Sequence, residues 1–154
     1  MRFRRGAGLA ATAAVWLALV AVPAGAGDAP PVSPDSGDAR VSLHLDPAVA
    51  AVLKETMREH LEALQGVVAA LARNDREGAA SITRRELGYA KHHEVMRREG
   101  GAAYPAKYRE LAMAHHRAAE ALADAIDAGD TALTLRRLDG AMRACVACHR
   151  AFRL

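Results

Sequence analysis

From Asp46 to the C-terminus, apolar side chains recur at intervals of three and four residues, the period of a helix that buries one face. A first helix is expected from Asp46, a capping residue followed by Pro47, to about Arg73, with Leu53, Met57, Leu61, Leu64, Val68 and Leu71 inward. Asn74-Asp75 ends it and opens a second, running to about Arg98, with Ala79, Ile82, Leu87, Ala90 and Val95 inward and Gly88 in its middle. Gly100-Gly101 breaks the pattern, and Pro105 opens a third helix to Ala128, with Tyr108, Leu111, Ala112, Ala119, Leu122 and Ile126 inward. Gly129 closes it, and Asp130 caps a fourth helix whose inward positions are Leu135, Leu138, Met142, Cys145, His149 and Phe152. Short first and last connections make consecutive helices antiparallel neighbours. The expected fold is all-α, an antiparallel up-down-up-down four-helix bundle over 46–154.

Upstream the pattern changes. Arg2, Arg4 and Arg5 precede an apolar run from Gly6 to Val22, and Ala24-Gly25-Ala26 is a small-residue cleavage site. The run is short for a membrane span, so 1–26 reads as a signal peptide cut after Ala26. Export to the periplasm, with no stable membrane insertion after cleavage, is the expectation. Residues 27–45 read as a flexible linker, rich in Pro, Gly, Ser and Asp at first, with Val41 to Leu45 as a short extended approach to the domain.

Charge and composition narrow the partners. The chain has 21 Lys+Arg against 18 Asp+Glu. Three of the arginines and none of the acids lie in the leader, so the remainder carries 18 of each. The basic balance belongs to the leader and gives no ground for a nucleic-acid partner. Aromatic residues make up only 4% and alanine is abundant, which favours helices packed closely through small side chains.

The two cysteines fall in one pentapeptide, Cys145-Val146-Ala147-Cys148-His149. C-x-x-C-H is the attachment signature of a c-type haem. Each thiol adds across one haem vinyl group to form a thioether, and two intervening residues bring both sulfurs to one edge of the macrocycle. The adjacent imidazole then reaches the iron as proximal ligand. On a helix the three side chains stand at i, i+3 and i+4 and share a face. Three other readings of the pair are weaker. A disulfide here would close too small a loop to restrict much chain entropy. A thioredoxin-like dithiol needs a βαβ context, which is missing. A zinc site would need a fourth ligand, which another histidine could supply.

The run Asp127-Ala128-Gly129-Asp130, followed by Cys145-Val146-Ala147-Cys148-His149-Arg150-Ala151-Phe152-Arg153, resembles the last helical hairpin of the cytochrome c′ family, the class II cytochromes c. The resemblance is specific over the last thirty or so residues and general in architecture over about 46–154. It implies one covalent haem c, with Cys145 and Cys148 as attachment points and His149 as fifth ligand. It also implies that function turns on the sixth position, reached from the first helix. Met57 is one candidate, as a distal ligand or haem contact, and would make a six-coordinate electron carrier. If His60 is aligned with a histidine found in family members, Leu53 faces the iron instead and leaves it open to nitric oxide or carbon monoxide. His60 and His116 are further candidates for a second imidazole ligand. Of the adjacent His115 and His116, one is expected to point inward and the other to solvent, whereas His92 and His93 sit where a helix C-terminus favours them.

The leading expectation is a periplasmic one-electron carrier with an unidentified redox protein as partner. A gas-binding haem protein is the first alternative, and a metal-binding or structural helical bundle without haem is the second. No nucleophile–base pair and no phosphate-cradling loop is present, so substrate turnover is not expected. The family resemblance also implies pairing of two copies through the first two helices.

Overall fold

The computed structural model describes residues 37–154; the leader, 1–26, and the first part of the linker, 27–36, lie outside the described residues. The described chain is all-α, with five helices and one pair of two-residue strands. In chain order these are β1 (Val41–Ser42), α1 (Pro47–Ala72), α2 (Arg76–Glu86), α3 (Tyr89–Arg98), α4 (Ala106–Ala128), α5 (Thr131–Ala151) and β2 (Phe152–Arg153).

The helix ends follow local chemistry. The Asp46 carboxylate accepts the Ala48 N–H at 2.8 Å, with Pro47 in the first helical position, where its missing N–H costs nothing. Asn74 takes φ +60° after α1, and Asp75 caps α2 by accepting the Gly78 N–H at 2.8 Å. Gly129 adopts φ +74° beyond α4, and Asp130 caps α5 through the Leu133 N–H at 2.9 Å.

One expected helix is two. The segment predicted to run from about Asp75 to Arg98 stops at Glu86 and restarts at Tyr89. Leu87 is fully buried, and Gly88 turns extended, with φ −81° and ψ −161°. A Cβ at Gly88 would collide with the Glu120 carboxylate and with the Arg84 carbonyl oxygen at the end of α2, and the fixed carbonyl is what favours glycine here.

α4 packs along α5, and α2 packs along both α1 and α4; α1 and α5 share no comparable contact. The main core joins Val67 and Ala70 of α1, Ala79 and Ala80 of α2, Leu122, Ala123 and Ile126 of α4, and Ala141 of α5. Its small side chains let the backbones come close, and that sets the rotation of α1. Leu61 and Val68, expected inward, are 69% and 53% exposed; the buried face runs through Leu53, Thr56, Ala63, Val67 and Ala70. Thr56 satisfies its hydroxyl on the Val52 carbonyl at 3.0 Å, which makes it tolerable inside. α5 shows the same offset. Leu135 and Met142 are exposed, while Thr134 and Ala141 are buried.

The extended approach expected over Val41 to Leu45 has a partner. β1 runs parallel to β2, with Val41 opposite Phe152 and Ser42 opposite Arg153, and the Leu43 N–H reaches the Arg153 carbonyl at 2.9 Å. The segment before α1 therefore clamps the chain just after the C-x-x-C-H run.

Candidate functional site

Cys145, Cys148 and His149 occupy the last two turns of α5. Cys148 belongs to an apolar cluster built on Leu43, Leu53, Tyr104 and Phe152, which Met57, Tyr108 and Leu111 also join. The structure thus brings Leu53 and Met57 of α1 into the same cluster as the second cysteine of α5. Leu53 is buried and Met57 half-buried. Tyr104 and Tyr108 stack with centroids 4.4 Å apart, and Tyr108 meets Phe152 edge-on at 5.6 Å. Burial raises the Tyr108 phenol well above its ordinary range, so it stays protonated and acts as a neutral wall.

Cys145 lies at the other edge. Its sulfur donates to the Ala141 carbonyl at 3.4 Å and stands 3.5 Å from Nδ1 of His115. Both thiols are free, and burial pushes both up from the ordinary cysteine value, with Cys145 adding to the effect on Cys148. A redox dithiol needs the opposite, a lowered thiol beside positive charge. The environment is therefore that of a protonated, apolar-walled pair, and it suits thioether attachment to a hydrophobic macrocycle.

His149 is exposed, on a flank of α5 where Met142 and Val146 precede it by seven and three residues. Among the described residues only its backbone is tied, through a 3.5 Å contact from the Arg40 guanidinium to its carbonyl. Its imidazole is free to take a ligand on that side.

Both His115 and His116 are buried, at 7% and 6% exposure, whereas one of them was expected to face solvent. His116 Nδ1 contacts the Leu87 carbonyl at 2.8 Å, so this ring is committed to the break between α2 and α3. His60 faces His115, with centroids 5.0 Å apart, and Nε2 of each is buried without a partner among the described residues. Burial is the first cause that drives His115 down to about 3 and His60 down to about 4; neighbouring imidazoles push the same way. Both are neutral bases at neutral pH. His92 touches His116 at 4.9 Å and so joins this group rather than standing alone at a helix end.

Sequence periodicity missed this histidine assembly, because it forms only where α1, α3 and α4 meet. The signal available was the number of histidines at inner or near-inner positions. Among the described residues, no three His, Cys, Asp or Glu side chains are set to hold a metal ion between them. Among the same residues, no helix is long and apolar enough to cross a membrane. No family model, curated protein or solved structure matches this chain.

Proposed function

We propose that this protein is an exported c-type cytochrome, with one haem carried on Cys145 and Cys148, His149 as proximal ligand, and one-electron transfer as its task. The observation that carries the reading is the convergence of Cys148 with Leu53 and Met57 in one apolar cluster, beside the C-x-x-C-H run. A bound haem would supply an iron that cycles between ferric and ferrous. The chain's own part is enclosure and ligation. Leu53, Tyr108 and Leu111 exclude water, which tunes the potential through the local dielectric. His149 offers a nitrogen from the flank it shares with Met142 and Val146, and a haem held there would cover exposed apolar surface.

The same proposal takes α1, the broken α2–α3 arm, α4 and α5 as the four arms of an antiparallel bundle of the cytochrome c′ kind. The short links Arg73–Asp75 and Gly129–Asp130, with the pairing of α1 on α2, α2 on α4 and α4 on α5, support it. Exposed Leu61 and Val68 on α1 support pairing of two copies through the first two helices.

A second reading rests on Leu53, which is more deeply buried than Met57. If Leu53 covers the iron, the sixth position is open and the protein binds nitric oxide or carbon monoxide. Absorption spectra of the matured protein decide between them. Electron transfer through Met57 predicts a low-spin ferric spectrum, no change when carbon monoxide is added to the reduced form, and high-spin iron in Met57→Ala. A ferrous spectrum that shifts with carbon monoxide assigns the open site. A pyridine haemochrome assay with no c-type signal overturns both and leaves a helical module without haem.

A further inference from the structure

Five of the chain's seven histidines come from three helices and meet as one string. Ring centroids step 5.6 Å from His93 to His92, 4.9 Å to His116, 5.1 Å to His115 and 5.0 Å to His60. The string lies where α1, α3 and α4 converge, a junction with little direct backbone contact of its own. The side chains therefore do much of the packing there. Two of their nitrogens, Nε2 of His60 and Nε2 of His115, are buried with no partner among the described residues. Buried unpaired groups are costly even when neutral, and adding a proton would place a buried cation against other imidazoles.

The charged and titratable neighbours offset such a cation only in part: Glu59 favours a proton on His60 and Glu120 one on His116, and burial outweighs both. These neighbours are Glu59 on α1, Glu86 at the end of α2, Lys91 and Glu94 on α3, Glu120 on α4 and Cys145 on α5. Glu59, Glu86 and Glu94 already hold Lys91 at 3.0, 3.4 and 3.1 Å. Glu120 is engaged with the Tyr89 N–H. The Cys145 thiol is held protonated by burial.

We infer that the contact of His60 on α1 with His115 on α4 is an acid-operated latch, closed while the two rings are neutral and released when they take up protons. Release loosens α1 from α4 at the level of His60, while the core of Val67 and Ala70 against Leu122, Ala123 and Ile126 stays closed. Met57 and Leu53 stand one and two turns before His60, so the cover over Cys148 loosens with it. The latch is a property of helix packing and does not depend on haem. The sign follows from the lowered affinities, about 4 for His60 and about 3 for His115 in the closed form. Separated rings would titrate near 6.5. The closed form is thus fully favoured above about pH 6.5 and loses ground as pH falls from there towards 4. With two protons taken up on opening, the opening constant rises by a factor approaching 100 per pH unit.

Hydrogen exchange read by mass spectrometry, from pH 7 to 4.5 and corrected for intrinsic rates, tests this on the protein as purified. Peptides covering 53–64 and 111–119 should lose protection with the two-proton steepness, while 134–142 on α5 changes far less. His60→Gln should reduce the steepness to about tenfold per pH unit, and the double variant His60→Gln/His115→Gln should abolish it. Flat protection in the wild type overturns the inference, as does unchanged steepness in the double variant, which would assign the effect to carboxylates. Should the variants not fold, an NMR titration of the wild-type rings decides. His60 and His115 staying neutral below pH 5 sustains the latch, and titration near 6.5 refutes it. A protein purified without haem would refute the cofactor reading and leave this measurement intact.

Discussion

Glu120 on α4 accepts the backbone N–H of Tyr89, the first residue of α3, at 2.9 Å. α3 has no capping side chain of its own, since Gly88 precedes it, so α4 supplies the missing acceptor from thirty-one residues away. Glu120→Ala should cost about 1 kcal/mol, the usual loss for a cap. Gly88→Ala should cost about 1–3 kcal/mol, because its methyl group meets both the Glu120 carboxylate and the Arg84 carbonyl oxygen. The two penalties should not add. Removing the carboxylate relieves part of the collision and leaves the carbonyl's share. Urea unfolding of both singles and the double measures this, and strict additivity would refute the shared contact.

Val67 and Val68 are neighbours with opposite fates. Val67 is fully buried in the main core, and Val68 is on the exposed flank. Val67→Ala should cost roughly 1.5–2.5 kcal/mol from two lost methyl groups and the space left behind. Val68→Ala should fall within about 0.5 kcal/mol of neutral, because alanine's helix propensity offsets the little burial lost. Equal losses at both positions would restore the face that periodicity predicts.

That pair also shows what the sequence could and could not say. The ends of α1, α4 and α5 were legible because capping is local: Asp46, Gly129 and Asp130 each act within a few residues. The rotation of α1 was not, because it depends on Ala79, Ala80 and Ala123 drawing the backbones close, a preference for small partners that hydrophobic spacing does not register. The break at Gly88 was half-legible. Glycine marked the place, but part of the reason for it, Glu120, lies on another helix. The placement of both cysteines on one turn of α5 was legible for the same reason as the caps, since i and i+3 on a helix are local neighbours. Of their surroundings, Leu53 and Met57 were named from the family resemblance, and they share a cluster with Cys148; the contact of His115 with Cys145 joins two helices and left no local signal.

The exposure of His149 separates a ligand from a packing residue. Among the described residues its side chain makes no hydrogen bond, and Arg40 touches only its carbonyl. His149→Ala should therefore unfold in urea within about 0.5 kcal/mol of the wild type when both lack haem. On the cytochrome reading proposed above, the matured variant should keep haem on Cys145 and Cys148 and show a ferric spectrum changed by loss of the proximal nitrogen. A spectrum identical to wild type would remove His149 as a ligand. A large loss of stability without haem would mean that the exposed flank packs against something.

Lys91 is almost wholly buried, with its ammonium within 3.4 Å of carboxylates from Glu59, Glu86 and Glu94. Burial by itself would raise the Glu59 carboxyl, but bonds from Lys91 and then Arg98 outweigh it and hold it below the ordinary range. Glu86 is held low by Arg85 first and by Lys91 as well. Carboxylates held low contribute stability above their unfolded value, near 4.3, and lose it as pH falls through the lower folded values. Lys91→Met removes the central cation and leaves the acids facing one another. At pH 7 it should cost about 2–3 kcal/mol, less than for a fully buried pair because the carboxylates are partly solvated. Without Lys91, only Arg98 opposes burial at Glu59, and its carboxyl rises. Acid then neutralises the repulsion, and the gap between variant and wild type should narrow as pH falls from 7 to 5. Lys91 also helps to hold His60 neutral, so the comparison is made in the His60→Gln/His115→Gln background, where the latch is absent and the difference in urea midpoints isolates the network. A gap unchanged between the two pH values would mean that Lys91 stabilises through its packed aliphatic stem rather than its charge.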